Sequence, residues 1–151
     1  MSRECGDCSE CCRYELPDSH ACPFLVPDGK GCGVYERRPP RCHDFLCSWV
    51  RGAGDESLRP DRTHVVFAEP KPTSPLREIA RNPVVGYYDS GRLDPADALE
   101  VARRLHRAEW LHDYDLIGIG DFRTKEMYFV GDMKPTLLAR AIVVRLGDTG
   151  W

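Results

Sequence analysis

The chain contains no cysteine anywhere in residues 48–151. It also has no apolar run approaching the roughly 18 residues needed to span a bilayer, which predicts a soluble protein with no membrane partner. The opening residues, Met1 to Cys5, lack the apolar stretch of a secretory signal. That absence predicts the reducing cytoplasm, where disulfides are rare. One-sided charge is lacking too: 24 acidic groups stand against 21 basic ones, a net −3 with a pI near 5.9. Such a balance gives no overall attraction for nucleic acid. Phosphate-loop chemistry is also excluded, because Gly118-x-Gly120 runs on into a strand-like stretch instead of opening a helix.

What is present is concentrated at one end. All eight cysteines, Cys5, Cys8, Cys11, Cys12, Cys22, Cys32, Cys42 and Cys47, fall within the first third of the chain. Cys5-Gly6-Asp7-Cys8-Ser9-Glu10-Cys11-Cys12 contains two successive Cys-x2-Cys steps, the tightest spacing that brings two sulfurs to one ion. The run also matches the opening of the bacterial ferredoxin pattern, with Cys22-Pro23 standing in for its final Cys-Pro at a longer interval. Cys12 diverges from its neighbour Cys11 and is assigned to a second site or a bridge. Glycines around Cys32 and prolines before Cys42 suit a chain led through tight turns. Phe24, Leu25, Val34, Tyr35, Phe45, Leu46 and Trp49 supply an apolar shell, and Arg13, Arg37, Arg38 and Arg41 supply positive charge. Positive charge is needed, since eight thiolates around two divalent ions would leave roughly minus four.

Three chemistries compete for such an array. A disulfide framework suits short secreted chains, and a lone redox Cys-x2-Cys belongs beside a strand and helix, neither of which is read here. Repeated Cys-x2-Cys steps in an unexported chain therefore point to metal. Zinc and iron remain open: two closed tetrahedral sites would use all eight sulfurs, and a [4Fe-4S] cluster would use four and leave four for a zinc ion.

The ordered residues Cys5-x2-Cys8-x2-Cys11-Cys12, Cys22-Pro23-Phe24-Leu25, Gly31-Cys32, Tyr35-Glu36-x-Arg38-Pro39-x-x-Cys42 and Phe45 resemble the CxxCxxCC family of zinc- or iron-chelating domains, the YkgJ-like cysteine cluster proteins. The resemblance covers the first third of the chain. It implies a small bacterial cytoplasmic protein with a multi-cysteine metal centre, similar to an iron-sulfur-binding segment of flagellin lysine N-methylases. Where that family carries arginine after the Cys42 position this chain has His43, either a titratable cation or an extra nitrogen ligand. An enzymatic alternative follows from the same likeness: an iron-sulfur redox or group-transfer component related to methyltransferases.

The fold class predicted is α+β. Residues 1–49 form an irregular cysteine-rich module, 50–62 a linker or loop, and 63–151 a small antiparallel sheet with one long helix, all of which could pack as one compact domain. Strands are expected at 64–68 and 84–88, and a hairpin at 116–120 and 127–130. One or two helical turns are expected at 76–81. Asp94-Pro95-Ala96-Asp97 starts a helix running to about residue 112, with Ala98, Val101, Ala102, Leu105, Ala108 and Leu111 on one face. A last helix is expected over 137–142. Asp113, Asp115, Asp121 and Asp132 read as turn formers, and no catalytic constellation is legible in this half.

Overall fold

The computed structural model describes residues 3–13, 22–28, 31–45, 47–107 and 114–131. Short helices α1 (Pro40–Asp44), α2 (Pro60–Thr63) and α3 (Leu76–Ile79) join a longer α4 (Pro95–Arg107), with strands β1 (Val66–Ala68), β2 (Pro83–Tyr88), β3 (Leu116–Asp121) and β4 (Met127–Gly131). The class is α+β, with one long helix among the described residues. Residues 108–113 and the helix expected at 137–142 lie outside them, as do Asp113 and Asp132.

The four strands form one sheet in the order β1-β2-β3-β4. β1 with β2 and β3 with β4 pair antiparallel, while β2 and β3 run parallel. The sheet is therefore mixed and not the antiparallel one expected. The reason is the connection: a long crossover carrying α4 returns the chain to the end where β2 began, so β3 starts there and runs parallel along the edge of β2 opposite β1.

β2 and β3 are buried along their whole length because both faces are covered. On one face Val84 and Tyr88 of β2 and Ile117 and Ile119 of β3 pack with Ala98, Val101, Ala102 and Leu105 of α4. On the other, Val66, Val85, Tyr87 and Leu116 pack with Leu76 and Ile79 of α3 and with Cys47 and Trp49. Alternate residues thus serve opposite layers, as the period of a strand requires. Cys11, Phe45 and Val50 lean on that second layer, so the cysteine-bearing stretch covers one side of the sheet. Residues 50–62, expected as a loop, hold a 3-10 turn (Glu56–Leu58) and α2, and they bury Ala53 and Leu58 in the α4 layer.

The local signals act as their chemistry dictates. The Asp94 carboxylate accepts from Ala96 N at 2.8 Å, capping α4 ahead of Pro95. Gly86 faces Phe67 across the β1–β2 register, and a Cβ there would stand 2.6 Å from the Phe67 ring. Gly118, half of the glycine pair in β3, leaves room for Met127 and Phe129 of β4. Asp115 accepts from Arg81 N and Asn82 N at 2.8 and 2.9 Å, tying the chain ahead of β2 to that ahead of β3.

Asp121, at the end of β3 and 2% exposed, accepts from Ser90 N, Arg123 N and Thr124 Oγ1 at 3.1, 2.9 and 2.9 Å. Burial alone would raise its pKa, yet these hydrogen bonds hold it below the usual carboxylate value. A depressed native pKa stabilises the fold above the unfolded pKa of about 4, and that stabilisation is lost as pH falls through the native one. Asp121→Ala is expected to lower unfolding free energy by about 1–3 kcal/mol at pH 7. Urea titrations at pH 7 and pH 3 check this: the gap between variant and wild type narrows at the lower pH.

Candidate metal centre

The first cysteines are set by tight turns, Cys42 by a short helix and Cys47 by a bridge to the sheet. Cys8 N donates to Cys5 O at 3.0 Å across Gly6, whose φ of +57° an L side chain rarely adopts. The second step closes in the 3-10 turn Glu10–Arg13, where Cys12 N donates to Ser9 O at 3.1 Å. Residues 22–28 lie antiparallel to 31–33: Leu25 bridges Cys32, and Gly33 N donates to Phe24 O at 2.7 Å. This pair of segments lies against the first cysteine turn, since a Cβ on Gly31 would come within 3.1 Å of Gly6 O. Cys42 sits in α1, with its N–H donated to Pro39 O at 2.9 Å. Cys47 bridges Ala68 at the edge of β1, and the next residue, Ser48, donates N–H to Phe67 O at 2.7 Å.

These turns bring all eight cysteines to the wall of one cavity of about 180 Å³. Gly6, Phe24, Tyr35, Arg38, Pro39, Phe45 and Val50 complete the lining. Phe24 is 42% exposed and marks where the cavity reaches solvent. Among the described residues no three or more Cys, His, Asp or Glu side chains converge closely enough to share one ion, so the sulfurs ring a volume and do not close on a point. His43 is exposed and is not part of the wall.

Burial favours the neutral thiol at Cys5, Cys8 and Cys47. It pushes the Cys8 thiol up to about 11 and the Cys47 thiol up to about 12. The Cys11 thiol is raised further, by its contact with Cys12 and then by burial, with Cys47 and Cys5 adding like charge. Cys5 is also raised by burial, against the opposing pull of the Tyr35 hydroxyl and the Arg38 guanidinium. Arg38 stacks 4.1 Å over the Tyr35 ring. Its Nε is buried without a hydrogen-bond partner, and it lines the cavity, as expected of an arginine that balances the thiolates. Arg37 is exposed, and the side chains of Arg13 and Arg41 lie outside what is described.

No family model, curated protein or solved structure matches this chain. The site therefore rests on its own geometry. Of the expected apolar shell, Phe24, Tyr35 and Phe45 line the cavity. Trp49 does not: its indole N–H donates to Asp55 O at 3.0 Å and its ring lies between Arg3 and Arg59, at 4.8 and 5.6 Å. Leu46 falls outside the described residues.

Sequence reasoning missed a second ring of charge. Asp7 and Glu10, one in each Cys-x2-Cys spacer, pair with Arg59 and Arg92, both beyond the last cysteine. The available signal was an acidic residue at the same place in both spacers, next to a site that itself favours positive neighbours.

Only the thiolate attacks an alkylating agent. In metal-free protein, iodoacetamide is therefore expected to modify Cys8 and Cys47 far more slowly at pH 8 than a free peptide thiol. Their rates should still be rising at pH 10, when the peptide has reached its plateau. Quantifying alkylation at each cysteine by mass spectrometry across that range checks this.

Proposed function

We propose that this chain is a metal-binding protein whose eight cysteines hold a polynuclear metal-sulfur centre, an iron-sulfur cluster being the form the cavity fits best. The observation that carries this reading is the single shared cavity. A closed zinc site holds four sulfurs about 2.3 Å from the ion and leaves no interior space. Two such sites would give two compact knots of sulfur. A volume of about 180 Å³ has room for several water-sized atoms, which matches a core of metal ions joined by sulfide. The donor set fits as well, since soft thiolates favour iron-sulfur and zinc over hard cations.

When bound, such a centre supplies reversible one-electron chemistry and a covalent staple for the turns. The residues of the chain do the rest. Phe45, Val50 and Pro39 limit water around the sulfurs, and Arg38 offsets their negative charge. The opening at Phe24 favours a redox role, because it leaves the centre within reach of an electron-transfer partner or a small substrate.

Protein purified without oxygen is expected to be brown, to carry iron and acid-labile sulfide, and to bleach with dithionite. A colourless protein replete with zinc would overturn the iron reading. Thiols that stay unoccupied or oxidise in pairs, in a module that keeps its fold, would overturn the metal reading altogether. Metal bound at such sites contributes on the order of 10 kcal/mol to folding. Chelation is therefore expected to strip hydrogen-exchange protection from residues 5–45 and to leave β2, β3 and α4 protected.

A further inference from the structure

Glu10 lies between Cys8 and Cys11, yet its carboxylate is turned away from the cavity and is 6% exposed. A buried carboxylate requires matched charge and hydrogen bonds, and here both arrive from far along the chain. Arg92, 82 residues on, grips it with two nitrogens, Nη1 to Oε2 at 2.9 Å and Nη2 to Oε1 at 3.3 Å. His64 Nδ1 stands 3.4 Å from Oε1 and 3.1 Å from Arg92 Nη2. His64 itself takes φ +58°, which places its side chain at the end of α2 in a conformation rare outside glycine. The other spacer is held by an exposed pair, its Asp7 side chain being 64% exposed. Arg59, 17% exposed, pairs with the Asp7 carboxylate and also donates to Cys5 O at 3.1 Å.

The geometry points to Arg92 and Arg59 as positioning residues for the metal centre, a role that rests on the reading given under Proposed function. Each clamped acid is followed directly by a cysteine, Asp7 by Cys8 and Glu10 by Cys11. Fixing the acid fixes the backbone from which the next thiol projects. The two arginines thus aim three successive cysteines of the run through the spacer acids and the Cys5 carbonyl. Lysine cannot replace Arg92 fully, because the paired contact depends on the planar fork of guanidinium.

A merely structural role is separated from this one by comparing Arg92→Ala, Arg92→Lys and Leu105→Ala. Leu105, on the buried side of α4, packs in the layer on the other face of the sheet from Cys11 and Cys47, so its truncation lowers stability without removing a contact to the Cys5–Cys11 run. Two quantities are measured: the rate at which loaded protein loses metal to a chelator, and the alkylation rate of each cysteine in stripped protein. Arg92→Ala is expected to lose metal about 10- to 100-fold faster than wild type, the size of effect seen when groups supporting a ligand are removed. Its Cys8 and Cys11 should alkylate several-fold faster while Cys42 is unchanged, Arg92→Lys should fall between, and Leu105→Ala should match wild type in both. Arg92→Ala behaving as Leu105→Ala does would overturn the proposal. If wild type takes up no metal, the functional reading fails by itself, and unchanged alkylation at Cys8 and Cys11 in Arg92→Ala then overturns the positioning role as well.

Discussion

The layer packed on the second face of the sheet carries the architecture. Val66, Val85, Tyr87 and Leu116 present an apolar surface that a chain of this size must cover, and the cover is drawn partly from the cysteine-bearing stretch. Cys47 and Trp49 are set into it, and the Cys47–Ala68 bridge with the Ser48–Phe67 hydrogen bond fastens that stretch to the edge of β1. The turns holding the other cysteines have short helices and one antiparallel bridge of their own. Their order is borrowed from the sheet below, since isolated turns of a few residues do not bury enough surface to offset the entropy of fixing them.

Electrostatics adds a second constraint. Gathering eight sulfurs around one volume is tolerable while they stay protonated, as burial favours at Cys5, Cys8 and Cys47, and would become costly once they ionise. Under the proposed metal-binding reading, the charge that then develops is met from two directions. Arg38, stacked on Tyr35, faces the cavity, while Arg59 and Arg92 neutralise the spacer acids behind it. The acids draw these cations towards the cysteine turns, and the cations hold the turns in place.

Much of the fold was legible in advance, for local reasons. Asp94 and Pro95 start α4 where a side-chain acceptor and a preset φ favour a helix, and the apolar positions Ala98, Val101, Ala102 and Leu105 form the face it buries. The strands at 66–68, 83–88, 116–121 and 127–131 follow their apolar and β-branched runs. The direction of β3 relative to β2 was not legible, because residues 84–88 and 116–120 read alike whichever way they pair. Trp49 looked like part of the cysteine shell and belongs to the sheet layer, since proximity in sequence does not say which way a side chain turns. The partner of Glu10 lay 82 residues off, beyond any pattern of spacing.

By itself the sequence determined the thiols and their crowding, eight in one third of a chain with two successive Cys-x2-Cys steps, and the helix and four strands that follow. Those features depend on residue identity and on contacts within a few positions. Only the tertiary structure decided that all eight reach a single cavity, that His43 stays outside it, and that Arg59 and Arg92 pair with the acids of the two spacers. The cavity exists because separate turns meet across the face of a sheet, and the bonds that bring them there join residues with no local relation to one another.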